Sequence, residues 1–353
     1  LKYTFKIREK YPRITIIHHR CADGALWATA KRRILVKRGE AWEQAGIFPR
    51  SYPRDLFDWS RPTARAMRAD KCNLYVNRLG NVLGIRGGWA YALRGERLQP
   101  LFQINGDSVL HRSFGEDAQG NIYFGEYFMN PERVPVKIWR VSPDLKSWDV
   151  ACELPGVRHV HGIYADPYNP GTFWAAVGDF AGECHLARTQ DGFTSMELYG
   201  DGSQIWRAVT LFFTKEHVNW LTDSNLELNH ACRMSRENGK LEVGQNIDCS
   251  AWYGCMTNEG LYVAFTTVEK GPGILSNEST VLVSHDAFHW EQIFGFKKDF
   301  WRPVKVFKYG VIACPSGELS LDELYLSGEG LVGLDGCSIR AEIKIEENDL
   351  DRK

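Results

Sequence analysis

Apolar and polar residues alternate along this chain in short runs that end in turn formers, and long amphipathic helical spacing is almost absent. Runs that precede an Asp, Gly or Asn turn begin at Ile14 (ITIIHHRCADG), Arg61 (RPTARAMRADKC), Val109 (VLHRSFGEDAQG) and Val157 (VRHVHGIYADP). Further ones begin at Ile205 (IWRAVTLFFTKE), Ser250 (SAWYGCMTNEG) and Trp301 (WRPVKVFKYG). The starts recur roughly every 45–50 residues, the interval of a four-stranded propeller blade. A second run follows each turn (ALWATA, NLYVNR, NIYFGEYF, TFWAAVGD, HVNWLTD, LYVAFTTV, GVIACP), aromatic and β-branched as buried strands are. A third follows (RILVKR, WAYALR, KIWRVS, CHLART, HACRMS, TVLVSH, ELYLSG), and a fourth is visible in most repeats (AWEQAG, SWDVAC, MELYG, HWEQIF).

This register predicts an all-β fold, a seven-bladed β-propeller of four-stranded antiparallel blades, with six blades as the alternative count. Radial repetition leaves only short sheet edges exposed, whereas one long sheet of the same strands would expose long ones. Residues 1–345 form one domain in this reading and 346–353 a charged tail. Either YTFKI near the start or IRAEIKI near the end completes the last blade.

Composition narrows the partners. Over 353 residues the formal charge is −1, so no basic balance points to nucleic acid. No apolar run reaches the roughly 18–20 residues that span a bilayer. The opening LKYTFKIREK lacks the apolar centre of a signal peptide, and the nine cysteines are scattered without a CxxC. Buried thiols in a reducing, cytoplasmic setting are therefore expected, although a trimmed leader is compatible with the first residue, Leu1.

The turns between third and fourth strands carry a signature of their own. SPDLKSW (Ser142 to Trp148), SHDAFHW (Ser284 to Trp290) and TQDGFTSM (Thr189 to Met196) share S/T-x-D. The Asp side chain is expected to accept from backbone N–H groups of its own hairpin while the Trp packs between blades. These turns resemble the Asp-box of the BNR-repeat, sialidase-like propellers. The stretch from GEDAQGNIYFGEYF to NWLTDS is also similar to bacterial and archaeal proteins labelled glycosyl hydrolase. The resemblance implies a propeller and a carbohydrate-active site on the face away from the Asp-boxes.

In a propeller the first strands line the central channel and begin at one end of it. Residues at their starts, and at the ends of the second strands, should converge on one rim. That places Arg61, His111, Arg112, Arg158, His159, His161, Gln204, Trp206, Arg207, Trp252, Tyr253, Trp301 and Arg302 together with Glu126, Tyr127, Asp179 and Asp223. The arginines match carboxylates bidentately, and the aromatic faces suit sugar rings. Glu126, Asp179 and Asp223 supply the paired carboxylates of glycoside hydrolysis. His159, His161 and Tyr253 are candidate bases.

The first reading is a glycoside hydrolase of an acidic saccharide. It assigns catalysis to Glu126, His159, His161, Asp179, Asp223 and Tyr253, and substrate binding to Arg61, His111, Arg112, Tyr127, Arg158, Gln204, Trp206, Arg207, Trp252, Trp301 and Arg302. A polysaccharide lyase using a His or Tyr base is the alternative, and a non-catalytic glycan- or protein-binding propeller the third. No cofactor and no metal is called for, although His159 and His161 have strand spacing that would let both reach one ion if His111, Gln204 or His230 came close.

Overall fold

The computed structural model describes residues 1–299 and 309–346. They form seven antiparallel sheets arranged as the blades of a propeller. Blade 1 uses Ile16–Arg20, Leu26–Ala30, Arg33–Lys37 and Trp42–Ile47. Blade 2 uses Asn73–Val76, Val82–Arg86, Trp89–Arg94 and Arg97–Gln103. Blade 3 opens with the short Gly115–Glu116 and continues through Ile122–Gly125, Val136–Val141 and Trp148–Leu154. Blades 4, 5 and 6 begin at Val160–Ala165, Ala208–Phe213 and Ser250–Met256. Their second strands are Phe173–Val177, His217–Thr222 and Tyr262–Thr267.

Blade 7 runs outward from Val311–Ala313 through Leu324–Glu329 and Cys337–Glu346 to Lys2–Tyr11. Both candidate closing segments are therefore used. The N-terminal strand pairs with the last one from Lys2 opposite Glu346 to Tyr11 opposite Ser338. The short Ser316–Gly317 adds a parallel pairing on the inner edge of blade 1, against His19 and Arg20.

Apolar side chains interleave where neighbouring blades face each other, so the core is a set of wedges rather than one ball. Leu83 and Ile85 of blade 2 meet Ile122 and Phe124 of blade 3, and Trp174 of blade 4 meets Trp220 of blade 5. The Asp-turns behave as expected. Asp144, Asp191 and Asp286 accept from the backbone N–H of Lys146, Ser195 and Phe288 at 3.1, 2.9 and 2.9 Å. Trp148 lies on Phe102 of blade 2 and Trp290 on Phe212 of blade 5, at centroid distances of 5.3 and 5.2 Å.

Two repeats differ from the expected register. RPTARA, read as a first strand, is a helix from Arg61 to Ala66, because Ser60 caps its N-terminus, accepting from the Thr63 N–H, and Pro62 presets the first turn. The first strand of blade 2 is therefore NLYV, one position later in the repeat than expected. In blade 7, GVIACP supplies the first strand instead of the second, and ELYLSG supplies the second instead of the third. The nine cysteines are unpaired, and seven of them are buried. No helix among the described residues is long and apolar enough to cross a membrane.

Candidate functional site

The second strands of five successive blades end in a carboxylate: Glu126, Asp179, Asp223, Glu269 and Glu329 follow or close the strands of blades 3 to 7. Asp179 owes its position to Gly178, which leaves strand Phe173–Val177 at φ +84°. A Cβ there would stand 1.9 Å from the Glu183 carbonyl oxygen. The backbone N–H of Asp179 donates to Glu183 Oε1 at 3.0 Å, which fixes the turn and aims the Asp179 carboxylate over the channel.

Asp179 is the centre of the cluster. Arg158 Nη1 lies 2.6 Å from its Oδ2 and Arg207 Nη2 3.0 Å from its Oδ1. His161 Nε2 is 3.2 Å from Oδ1 and His159 Nε2 3.3 Å from Oδ2. Burial opposes the charge, but the closeness of His159 and His161 holds this carboxyl well below the usual range. Gln204 braces the cluster, donating from Nε2 to the Asp179 carbonyl at 2.9 Å and accepting from Ser224 Oγ at 2.8 Å.

Arg207 also carries its Nε to Asp223 Oδ2 at 3.3 Å. The other oxygen of Asp223 accepts from the Trp252 indole N–H at 2.7 Å, and the same N–H lies 3.1 Å from Glu269 Oε1. Two buried carboxyls on one donor, with a single guanidinium to balance them, favour retention of a proton. Burial raises Asp223 against the pull of Arg207, and burial together with Asp223 pushes Glu269 up to about 8. Beside them opens a cavity of about 100 Å³ lined by Arg68, Lys71, His111, Trp252, Tyr253 and Glu329, among others. Burial, reinforced by Arg68, pushes the Lys71 ammonium down to about 7. Its Nζ stands 5.8 Å from the ring centre of Tyr127, which in turn stacks on His159 at 4.0 Å.

The rim therefore gathers Tyr127, Arg158, His159, His161, Asp179, Gln204, Arg207, Asp223 and Trp252. Other expected members lie elsewhere. Glu126 is turned into the wall between blades 2 and 3, where its carboxylate accepts from Asn105 N–H and Nδ2, the Lys137 N–H and Trp139 Nε1 at 2.9–3.3 Å. Trp206 is core, stacked on Trp220 at 5.3 Å. Arg61 does line the cavity beside Trp252, but its guanidinium clamps its helix to blade 7, with Nη2 2.9 Å from Asp335 Oδ1 and Nη1 bonded to Asp70.

His111 and Tyr253 sit together in the channel, 5.7 Å apart by ring centres, and burial pushes His111 down to about 4. Arg112 reaches the opposite mouth, bonded to the Pro315 carbonyl. There it lines a separate cavity of about 850 Å³ with the far ends of the first strands, Ala165, Phe213 and Met256. Trp301 and Arg302 lie outside the described residues.

The arginines at the rim are not open anion forks, since Asp179 and Asp223 already occupy Arg158 and Arg207. Glu269 and Glu329 were absent from the expected set. Their signal was the register itself: each follows a second strand (LYVAFTTVE and LYLSGE) at the position that Asp179 and Asp223 hold in blades 4 and 5.

No protein-family model matches the chain, and no curated protein matches it. Solved structures do. The extracellular domain of BT4673 from B. thetaiotaomicron, described as a one-component system, aligns with a TM-score of 0.58 at 10% identity. The alignment covers 95% of this chain, which spans 40% of that one. The WD40 repeats of RRP9 give a TM-score of 0.55 at 12% identity over 96% of this chain and 98% of theirs. YCF48 bound to D1 peptide gives 0.54 at 11% over 96% and 94%. At such identities the similarity establishes the fold alone, and that fold is a β-propeller of seven four-stranded blades.

Proposed function

We propose that this end of the channel is a carbohydrate-active site that cleaves an acidic saccharide by acid–base chemistry. The observation that carries the reading is the convergence of Asp223 and Glu269 on the single Trp252 N–H, at 2.7 and 3.1 Å, beside a cavity edged by Lys71, Tyr253 and Glu329. A shared proton on this pair gives a general acid, while Asp179, bonded to two arginines, stays ionised as their counter-charge. Carboxyls driven in opposite directions within one site are the pattern of glycosidase acid–base sets. Lys71 attracts the acidic group, Arg158, largely buried and bonded to Asp179, adds positive potential at the rim, and Tyr127 and Trp252 offer ring faces. The Asp144, Asp191 and Asp286 turns support placing the chain beside the Asp-box, sialidase-like propellers.

Hydrolysis is the first reading, with the pair protonating the departing oxygen. One observation favours β-elimination as the second: an amine driven down to about 7, Lys71, is suited to remove the proton alpha to a uronate carboxylate. A screen of acidic oligosaccharides, reading reducing ends and near-ultraviolet absorbance together, separates the two. Hydrolysis yields reducing ends alone, and its rate falls as pH rises through about 8, where Glu269 loses its proton. Elimination adds absorbance from the unsaturated product and a rising limb through about 7. Binding of these saccharides without either signal would leave a non-catalytic glycan-binding propeller in place of the enzyme.

A further inference from the structure

His159, His161 and Asp179 present a geometry that their hydrogen bonds leave incomplete. His159 Nδ1 lies 3.1 Å from the Phe128 carbonyl and His161 Nδ1 2.7 Å from the Ala208 carbonyl. A carbonyl only accepts, so each ring carries a proton on Nδ1, and each neutral ring is then left with a bare lone pair on Nε2. Those two lone pairs face each other across 3.0 Å. The oxygens of Asp179, which also only accept, complete the group at 3.2 and 3.3 Å. Four acceptor atoms at this spacing repel unless a proton or a metal ion lies among them.

We infer that His159, His161 and Asp179 form a binding site for one divalent first-row transition-metal ion. Ligand atoms about 2.1 Å from an ion and at right angles to one another stand about 3 Å apart, as these do. Two imidazoles and one carboxylate on one side of an ion leave its remaining positions open to water or to an oxygen of a bound molecule. The outer contacts are those that hold metal-binding histidines: N–H to backbone carbonyl on both rings, and Tyr127 stacked flat on His159. Arg158 and Arg207 hold Asp179 in one rotamer, and Asp223 balances Arg207, so the ion adds its charge to a set of guanidiniums and carboxylates that is already paired. The three ligands are buried, with exposures of 2, 1 and 6%. Imidazole-rich sites of this kind suit zinc, iron, nickel or cobalt ahead of magnesium or calcium.

The site stands on its own geometry and does not depend on the saccharide reading. The competing arrangement is a single proton on one Nε2, shared with the other ring and with Asp179.

The test uses the full chain, stripped with a chelator and titrated with Co²⁺ alone, reading visible absorption and heat, with Zn²⁺ as competitor. The expected result is one Co²⁺ per chain with ligand-field bands that Zn²⁺ abolishes. His161→Gln should weaken binding by more than the roughly 10–100-fold that loss of an outer partner costs. His289→Gln, at the exposed Asp286 pair, should leave the bands unchanged. Should His161→Gln fail to fold, X-ray absorption of the Zn²⁺-loaded wild type decides instead, since two imidazoles and at least one oxygen are expected around the ion. Absence of stoichiometric binding, bands that survive in a folded His161→Gln protein, or a shell without two imidazoles would each overturn the metal site and leave the shared proton.

Discussion

Glu269 holds a proton that the unfolded chain releases, and this ties stability to pH. Its ordinary value is 4.5, and in the folded chain burial and Asp223 raise it to about 8. Between these values the folded state binds more protons than the unfolded one, so stability falls as pH rises across that window and levels off above it. Glu269→Gln should remove the fall, giving a more stable protein than the wild type at pH 8–9, by an amount on the order of a few kcal/mol, with little difference near pH 4. Denaturant midpoints at the two pH values measure it. The same variant should lower turnover of any acidic saccharide by roughly 10²–10⁴-fold if this carboxyl is the acid. Glu126 provides the contrast. Its carboxylate accepts four donors, so Glu126→Gln puts an amide donor against donors and should cost roughly 1–3 kcal/mol. Turnover measured on the folded fraction should be unchanged, and a selective loss of turnover would return Glu126 to the chemistry.

At the scale of the element, the ends of the second strands carry the site, and this was legible in the chain. Asp179 and Asp223 were found because TFWAAVGD and HVNWLTD stand out as buried strands that end in an acid. Glu269 escaped because three residues, Thr266, Thr267 and Val268, separate it from the buried aromatic Phe265, so the run reads as ending before the acid. Glu329 was hidden by the displaced register of blade 7. Helix Arg61–Ala66 misled in the opposite way. Its aligned basic residues imitate a channel strand, while the capping pair Ser60 and Thr63 and the early proline govern its backbone. What periodicity cannot express is the reach of long side chains, which carries Arg112 to the far mouth and turns Glu126 into a wall. Gly178 is the local test of how the strand end works. Gly178→Ala places a Cβ against the Glu183 carbonyl and holds a non-glycine residue at positive φ. The backbone conformation alone costs on the order of 1–3 kcal/mol, and relief of the contact should displace Asp179. The checks are a lowered unfolding midpoint and loss of any ligand or metal response at the rim. An unchanged midpoint would show that the turn is not what holds the carboxylate.

At the scale of the whole molecule, the ring is closed by hydrogen bonds between strands from the two ends of the chain. The ladder from Lys2–Glu346 to Tyr11–Ser338 includes a bulge between Ile7 and Glu9. Removing residues 2–11 would bare strand Cys337–Glu346 as a long open edge, the kind that pairs with other chains. The truncated protein is expected to unfold at lower temperature and to run as dimers or larger species in size-exclusion chromatography. A monomer with an unaltered melting temperature would mean that the wedges between blades suffice without the closing strand.

That closure also sets an order of events during synthesis. Strand Lys2–Tyr11 is synthesised well before its partner Cys337–Glu346, so until that partner is made it has no sheet to join. Until then the other blades can stack as an open arc with two unprotected flanks, and chaperones or neighbouring nascent chains have that interval in which to act. The penultimate step of folding should therefore be an almost finished arc awaiting one strand. Fast removal of denaturant ought to populate it as a species with native fluorescence from the buried Trp220, in which the amides of Cys337–Glu346 that face Lys2–Tyr11 are unpaired.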